Sequence, residues 1–113
     1  MKYLMLINQP AAREWDSLPK EQQGAIAAAY QALVQTPGVT PFPRLQPPET
    51  ATTVRVQEGA TLTTDGPFVE LKEALDGVFI YEGDDLDAAI EVASRVPAAS
   101  MGGAIEIRPL MGR

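Results

Sequence analysis

TTVRVQEGATLTTDGPFVELKE, residues 52–73, is the stretch that decides the fold. Thr52 to Gln57 alternates apolar and polar residues, Glu58-Gly59 supplies a two-residue turn, and Ala60 to Thr64 returns, which predicts a β-hairpin. The hairpin delivers the chain to Asp65-Gly66-Pro67-Phe68. Gly66 can take backbone angles closed to other residues, and Pro67 fixes its own φ and biases Gly66 away from helix, so Asp65 stands on a stiff corner. A carboxylate held that way is either a site or a turn former, since Asp side chains also cap their own backbone two residues on. Beyond it, Glu70 and Lys72 alternate with Val69 and Leu71.

Upstream of the hairpin, Lys2 to Ile7 is apolar almost throughout, as expected of a central strand. Asn8-Gln9-Pro10 ends it. Ala11 to Asp16 is a linker carrying Trp15, the sole tryptophan, expected to close one end of the core. Ser17-Leu18-Pro19 opens a helix with Ser17 as N-cap, and Ile26, Tyr30, Leu33 and Val34 share one face before Thr36-Pro37-Gly38 stops it. Prolines at 41, 43, 47 and 48 make a regular interior strand improbable between Val39 and Glu49, which leaves an edge strand or a rigid connector with no chemistry assigned to it.

Downstream, Gly77 to Glu82 is a second strand of β-formers. Asp84 or Asp85 caps a second helix with Leu86, Ala89, Ile90 and Ala93 as its apolar stripe, Pro97 ends it, and Ala104 to Arg108 alternates as the last strand. Glu82, Asp84, Asp85, Asp87 and Glu91 collect where the first turn of a helix favours carboxylates, without the spacing of a calcium loop. The order is that of a split β-α-β unit, a ferredoxin-like α+β fold with two helices on one face of an antiparallel sheet and the hairpin added at or beyond an edge. The face without helices would expose apolar side chains, and a homodimer formed through the sheets or hairpins covers them.

With 113 residues, 45% hydrophobic and 21% charged, one domain accounts for residues 1–113. The sequence contains neither His nor Cys, which removes thiolate catalysis, disulfides and the usual neutral-pH acid/base group. Proton transfer would fall to Asp, Glu, Lys, Tyr or water, and no cofactor or metal is implied. A formal net charge of -6, with the 9 Lys and Arg scattered, opposes direct nucleic-acid binding. The apolar run Met1 to Ile7 is too short for a signal sequence or membrane span, so a cytoplasmic protein is expected.

Thr64-Asp65-Gly66-Pro67-Phe68 with Glu70, Lys72 and Glu73 resembles the signature of the DGPF branch of the YCII-related family. Leu45-Gln46-Pro47-Pro48, Thr52 to Arg55, Asp84 to Ala89 and Glu106 to Met111 extend the resemblance over essentially the whole chain. It implies a dimeric α+β barrel of ferredoxin-like halves. Other branches are thought to use a His and Asp pair, with the Asp in an Asp-Pro dipeptide after the second helix. This chain has Val96-Pro97 there and no His. Genes of the DGPF branch often lie beside those of extracytoplasmic-function sigma factors, which implies a regulatory setting.

Two functional classes follow. One is a dimeric small-molecule-binding or regulatory module. The other is a cofactor-free enzyme for proton abstraction, isomerisation or elimination on a small anionic or enol-like substrate. In it Asp65 acts as acid or base, Glu70 as second carboxylate, Arg55 or Lys72 as electrostatic partner, and Gly66, Pro67 and Phe68 as the pocket's corner.

Overall fold

β1 (Lys2–Pro10) lies at the centre of a four-stranded antiparallel sheet, between β5 (Glu73–Glu82) on one side and β6 (Ala104–Pro109) on the other. β2 (Val39–Pro41) completes the sheet at the far edge of β5, giving the order β2-β5-β1-β6. That order, with the first strand of each half innermost, is the one a split β-α-β unit produces. The structure is a computed structural model describing residues 1–10, 17–41, 43–68 and 73–112. Trp15, Glu70 and Lys72 lie outside the described residues.

Alternation along the strands assigns the two sheet faces. Tyr3, Met5 and Ile7 of β1 and Phe79 and Tyr81 of β5 are buried. In register, Tyr3 pairs with Tyr81 and Met5 with Phe79, so these side chains share one face. Leu33 of α1 (Lys20–Val34) and Ala89, Val92 and Ala93 of α2 (Leu86–Ser94) join them in the core. On the opposite face Leu4 pairs with Ile80 and Leu6 with Val78, and all four are half-buried. Among the described residues no helix is long and apolar enough to cross a membrane.

Several expectations need adjustment. α1 begins after Pro19, which occupies the cap position and has no side-chain acceptor, so Ser17 is not the N-cap. Its inward face runs through Ile26, Tyr30 and Leu33, and Val34 is exposed. In α2, Asp85 is the cap, accepting from the Ala88 N–H at 2.9 Å. Its buried face turns through Ala89, Val92 and Ala93, leaving Leu86 and Ile90 about half exposed. Pro97 does more than end this helix. It opens a third, short helix, α3 (Pro97–Ser100), because a proline at the first helical position loses no bond.

β3 (Thr52–Gln57) and β4 (Ala60–Asp65) form the expected hairpin as a separate two-stranded sheet, reached through a single 3₁₀ turn at Pro48–Thr50. Glu58 and Gly59 take φ of 51° and 79°, the left-handed pair of a type I′ turn, whose twist matches that of the flanking strands. Every residue of β3 and β4 except Thr53 is exposed. The molecule is correspondingly flat, 47 × 44 × 20 Å, with a radius of gyration of 16.1 Å. A compact chain of this length would have about 13 Å.

Candidate functional site

The corner at Asp65 is built from backbone. The Gly66 N–H donates to the Ala51 carbonyl at 2.7 Å, and the Thr53 hydroxyl donates to the Gly66 carbonyl at 2.8 Å. Gly66 has φ of +97°, which favours glycine, and a Cβ there would meet open space, so the requirement is conformational alone. Asp65 ends β4 opposite Thr52 and is exposed. Its carboxylate takes no part in the corner's two bonds.

The register separates Asp65 from Arg55, one of its two expected electrostatic partners. Arg55 lies opposite Leu62, and cross-strand partners project to the same face of a ribbon, while successive residues alternate. Leu62, Thr64 and Arg55 therefore share one face, and Asp65 projects from the other with Val54 and Val56. Phe68 folds back onto the Arg55 face, where the guanidinium carbon sits 4.6 Å from the ring centroid. This cation–π contact ties the chain beyond Pro67 to the hairpin. Asp65 and Arg55 are thus held close in sequence and apart in direction.

A cleft opens elsewhere. The end of β1 (Gln9, Pro10), α1 (Ile26, Tyr30), the segment Arg44 to Pro48, the start of β5 (Leu75, Asp76), and Pro97 with Met101 enclose about 270 Å³. That is near the lower end of small-molecule sites, which span roughly 300–1,000 Å³. The proline-rich segment is pinned to β5 twice. The Leu45 N–H donates to the Asp76 carbonyl at 2.9 Å, and Arg44 meets the Asp76 carboxylate at 2.7 Å. The Arg44 side chain is 61% exposed against 22% for Asp76. An ion pair this open contributes at most about 1 kcal/mol, so its main consequence is to orient the guanidinium at the cleft.

Arg44 keeps donors beyond the one spent on Asp76, because a guanidinium carries five N–H groups in a rigid fork. Gln9, Gln46 and Tyr30 add polar groups to walls otherwise made by Ile26, Leu45, Leu75 and prolines. This donor and apolar set suits a small organic molecule bearing an acceptor or anionic group. Among the described residues, no three His, Cys, Asp or Glu side chains come together to hold a metal.

The sequence reading missed this cleft because its walls come from five separate segments. The available signal was an arginine between prolines, Arg44, together with an acidic residue, Asp76, just ahead of the Gly77 to Glu82 run. Asp65, Gly66, Pro67 and Phe68 do not line the cleft, whereas the β5 residues Leu75 and Asp76, soon after Lys72 in the chain, do.

The sequence matches the YCII-related domain over residues 1–112. It is also similar to an uncharacterized protein of Rhizobium meliloti (strain 1021), 35% identical over 86 residues, which cover 75% of this chain and 69% of that protein. A match over nearly the whole length, carried by a chain with the split β-α-β strand order, leaves one conclusion: the chain belongs to the YCII-related family.

Proposed function

We propose that the protein is a homodimeric module, of the DGPF branch of the family, that binds a small molecule in the cleft between α1, the Arg44 to Pro48 segment and β5. The carrying observation is the convergence of an oriented guanidinium with Gln9, Gln46 and Tyr30 around an apolar pocket of about 270 Å³. Arg44 receives the ligand's acceptor or anionic group, and Ile26, Leu45 and Leu75 cover its body. The dimer follows from the helix-free sheet face, where Leu4, Leu6, Val78 and Ile80 form an apolar centre that a second copy covers, as in a dimeric α+β barrel. Its setting is regulatory, with a functional link to an extracytoplasmic-function sigma factor, a reading supported by the family resemblance of residues 64–73.

The enzymatic reading retains one supporting observation, that the Asp65 carboxylate is exposed and takes no part in the bonds that close its corner. Both readings are addressed by a thermal-shift screen of small carboxylates, enols and amides against the wild type, Arg44→Ala, Ile26→Trp and Asp65→Asn. Binding at the cleft is expected to weaken by about tenfold or more on losing a charged hydrogen bond in Arg44→Ala, and to be blocked in Ile26→Trp. Ligands that bind both cleft variants as they bind the wild type contradict the cleft. Turnover by the wild type that disappears in Asp65→Asn decides for the enzyme.

A further inference from the structure

The four edges of the two sheets are not equally protected. The outer edge of β6 carries Glu106, Arg108 and Pro109, and β2 is a strand of 3 residues ending at Pro41. Short strands, charges and prolines are the usual defences of an open edge. β3 carries Arg55. β4 has none of these from Ala60 to Thr64, only Ala, Thr, Leu, Thr and Thr, and it is exposed throughout.

The pairing pattern shows which of its backbone groups are available. A two-residue turn makes Gln57 and Ala60 a mutually bonded pair, and such pairs alternate along the ladder through Arg55 with Leu62 and Thr53 with Thr64. The Gly66 N–H to Ala51 carbonyl bond continues the same alternation. The N–H and C=O groups of Thr61 and Thr63 therefore point away from β3, and among the described residues they meet no partner.

We propose that β4 pairs antiparallel with β4 of a second copy of this chain, joining two hairpins into a four-stranded sheet. The pairing stands on residues different from those of the helix-free sheet face. The occupant is a second copy because the edge is self-complementary. With the twofold axis at Leu62 or Thr63, Leu62 meets Leu62 or Thr63 meets Thr63, both favourable cross-strand pairs. Asp65 then lies opposite Gly59 or Thr61 of the second copy, and no like charges are juxtaposed. In a chain of net charge -6, the uncharged stretch from 60 to 64 lets two copies approach without stacking carboxylates. Pairing also gives the hairpin what it lacks, since a two-stranded ribbon alone is only marginally stable.

The chain has no cysteine, so Leu62→Cys and Thr63→Cys give an unambiguous cross-linking test. Residues directly opposite in an antiparallel pair have Cα atoms about 4.5 or 5.5 Å apart, within disulfide range. Under copper-phenanthroline oxidation at micromolar concentration, at least one of the two is expected to form a covalent dimer well ahead of the exposed control Val34→Cys. Neither doing so overturns the pairing. Thr63→Pro removes an outward N–H from each copy and leaves the bonds to β3 intact. It is expected to weaken self-association in sedimentation by about tenfold, and unchanged association likewise overturns the proposal.

Discussion

The β2-β5-β1-β6 sheet and the β3-β4 hairpin are both antiparallel and both rich in β-formers, yet they stand in opposite relations to water. In β1 the inward residues Tyr3 and Met5 are 1% and 0% exposed, while Val54 and Val56 of β3 are 59% and 68% exposed. The difference lies in what covers each face. Helices α1 and α2 lay Leu33, Ala89, Val92 and Ala93 over one side of the sheet, and no described element lies over the hairpin. Alternation in a sequence shows that a strand has two faces, and it does not say whether the cover comes from the same chain. The helix-covered side of the sheet closes within one chain and supports the cleft, whereas the hairpin has neither face covered and is suited to meeting another molecule.

The contrast can be broken most sharply by truncation. Met5→Ala is expected to lower stability by about 2–5 kcal/mol, because it opens a cavity in a fully buried position. Val56→Ala, at a position 68% exposed, should change it by less than about 0.5 kcal/mol. Urea denaturation of the two variants measures both, and equal losses would mean that the hairpin is packed like the sheet.

Backbone substitutions extend the comparison at smaller amplitude. Gly38 and Gly66 have φ of +91° and +97°, but a Cβ on Gly38 would run into the Glu82 carbonyl oxygen, whereas Gly66 has open space. Gly38→Ala should therefore cost clearly more than Gly66→Ala, for which the conformational penalty alone is about 1 kcal/mol. Thermal unfolding of the pair ranks them, and the reverse order would contradict the assignment. Asp85→Ala removes the acceptor that caps α2 and is expected to cost about 1 kcal/mol in the same assay.

The smallest effect should be a gain. Glu58 holds φ of 51° in the hairpin turn, where Asn is better tolerated. Glu58→Asn should stabilise the hairpin by a few tenths of a kcal/mol. It should slow hydrogen exchange at Leu62 and Thr64, whose N–H groups bond to β3, and leave the amides of β1 unaffected. Slowing in β1 would mean that the two sheets unfold as one unit.

Much of the fold was legible in the sequence because local chemistry specified it. Glu58-Gly59 between two alternating runs could only be a tight turn, Asp84 or Asp85 ahead of an apolar stripe was a cap, and the prolines from 41 to 48 left only an edge strand or a connector, of which β2 is the edge strand. The inward face of α2 was less legible. Leu86 and Ile90 are larger than Ala89 and Ala93 and drew the stripe toward themselves, while the burial of Val92 and of Val96 just beyond the helix shows the face that meets the sheet. The candidate site divided in the same way. The corner's glycine geometry was readable, and so in principle was the opposition of Asp65 and Arg55, by counting alternation through the turn. The cleft was not, since Arg44 and Asp76 are 32 residues apart and meet only after β5 takes its place in the sheet.

The central proposal is that one copy of this chain is incomplete, with a sheet face and a hairpin that a second copy covers. Light scattering on the wild type at micromolar concentration tests it most directly. A mass of at least twice the 12.1 kDa of the single chain is expected, and a mass of 12.1 kDa across that range would contradict the claim.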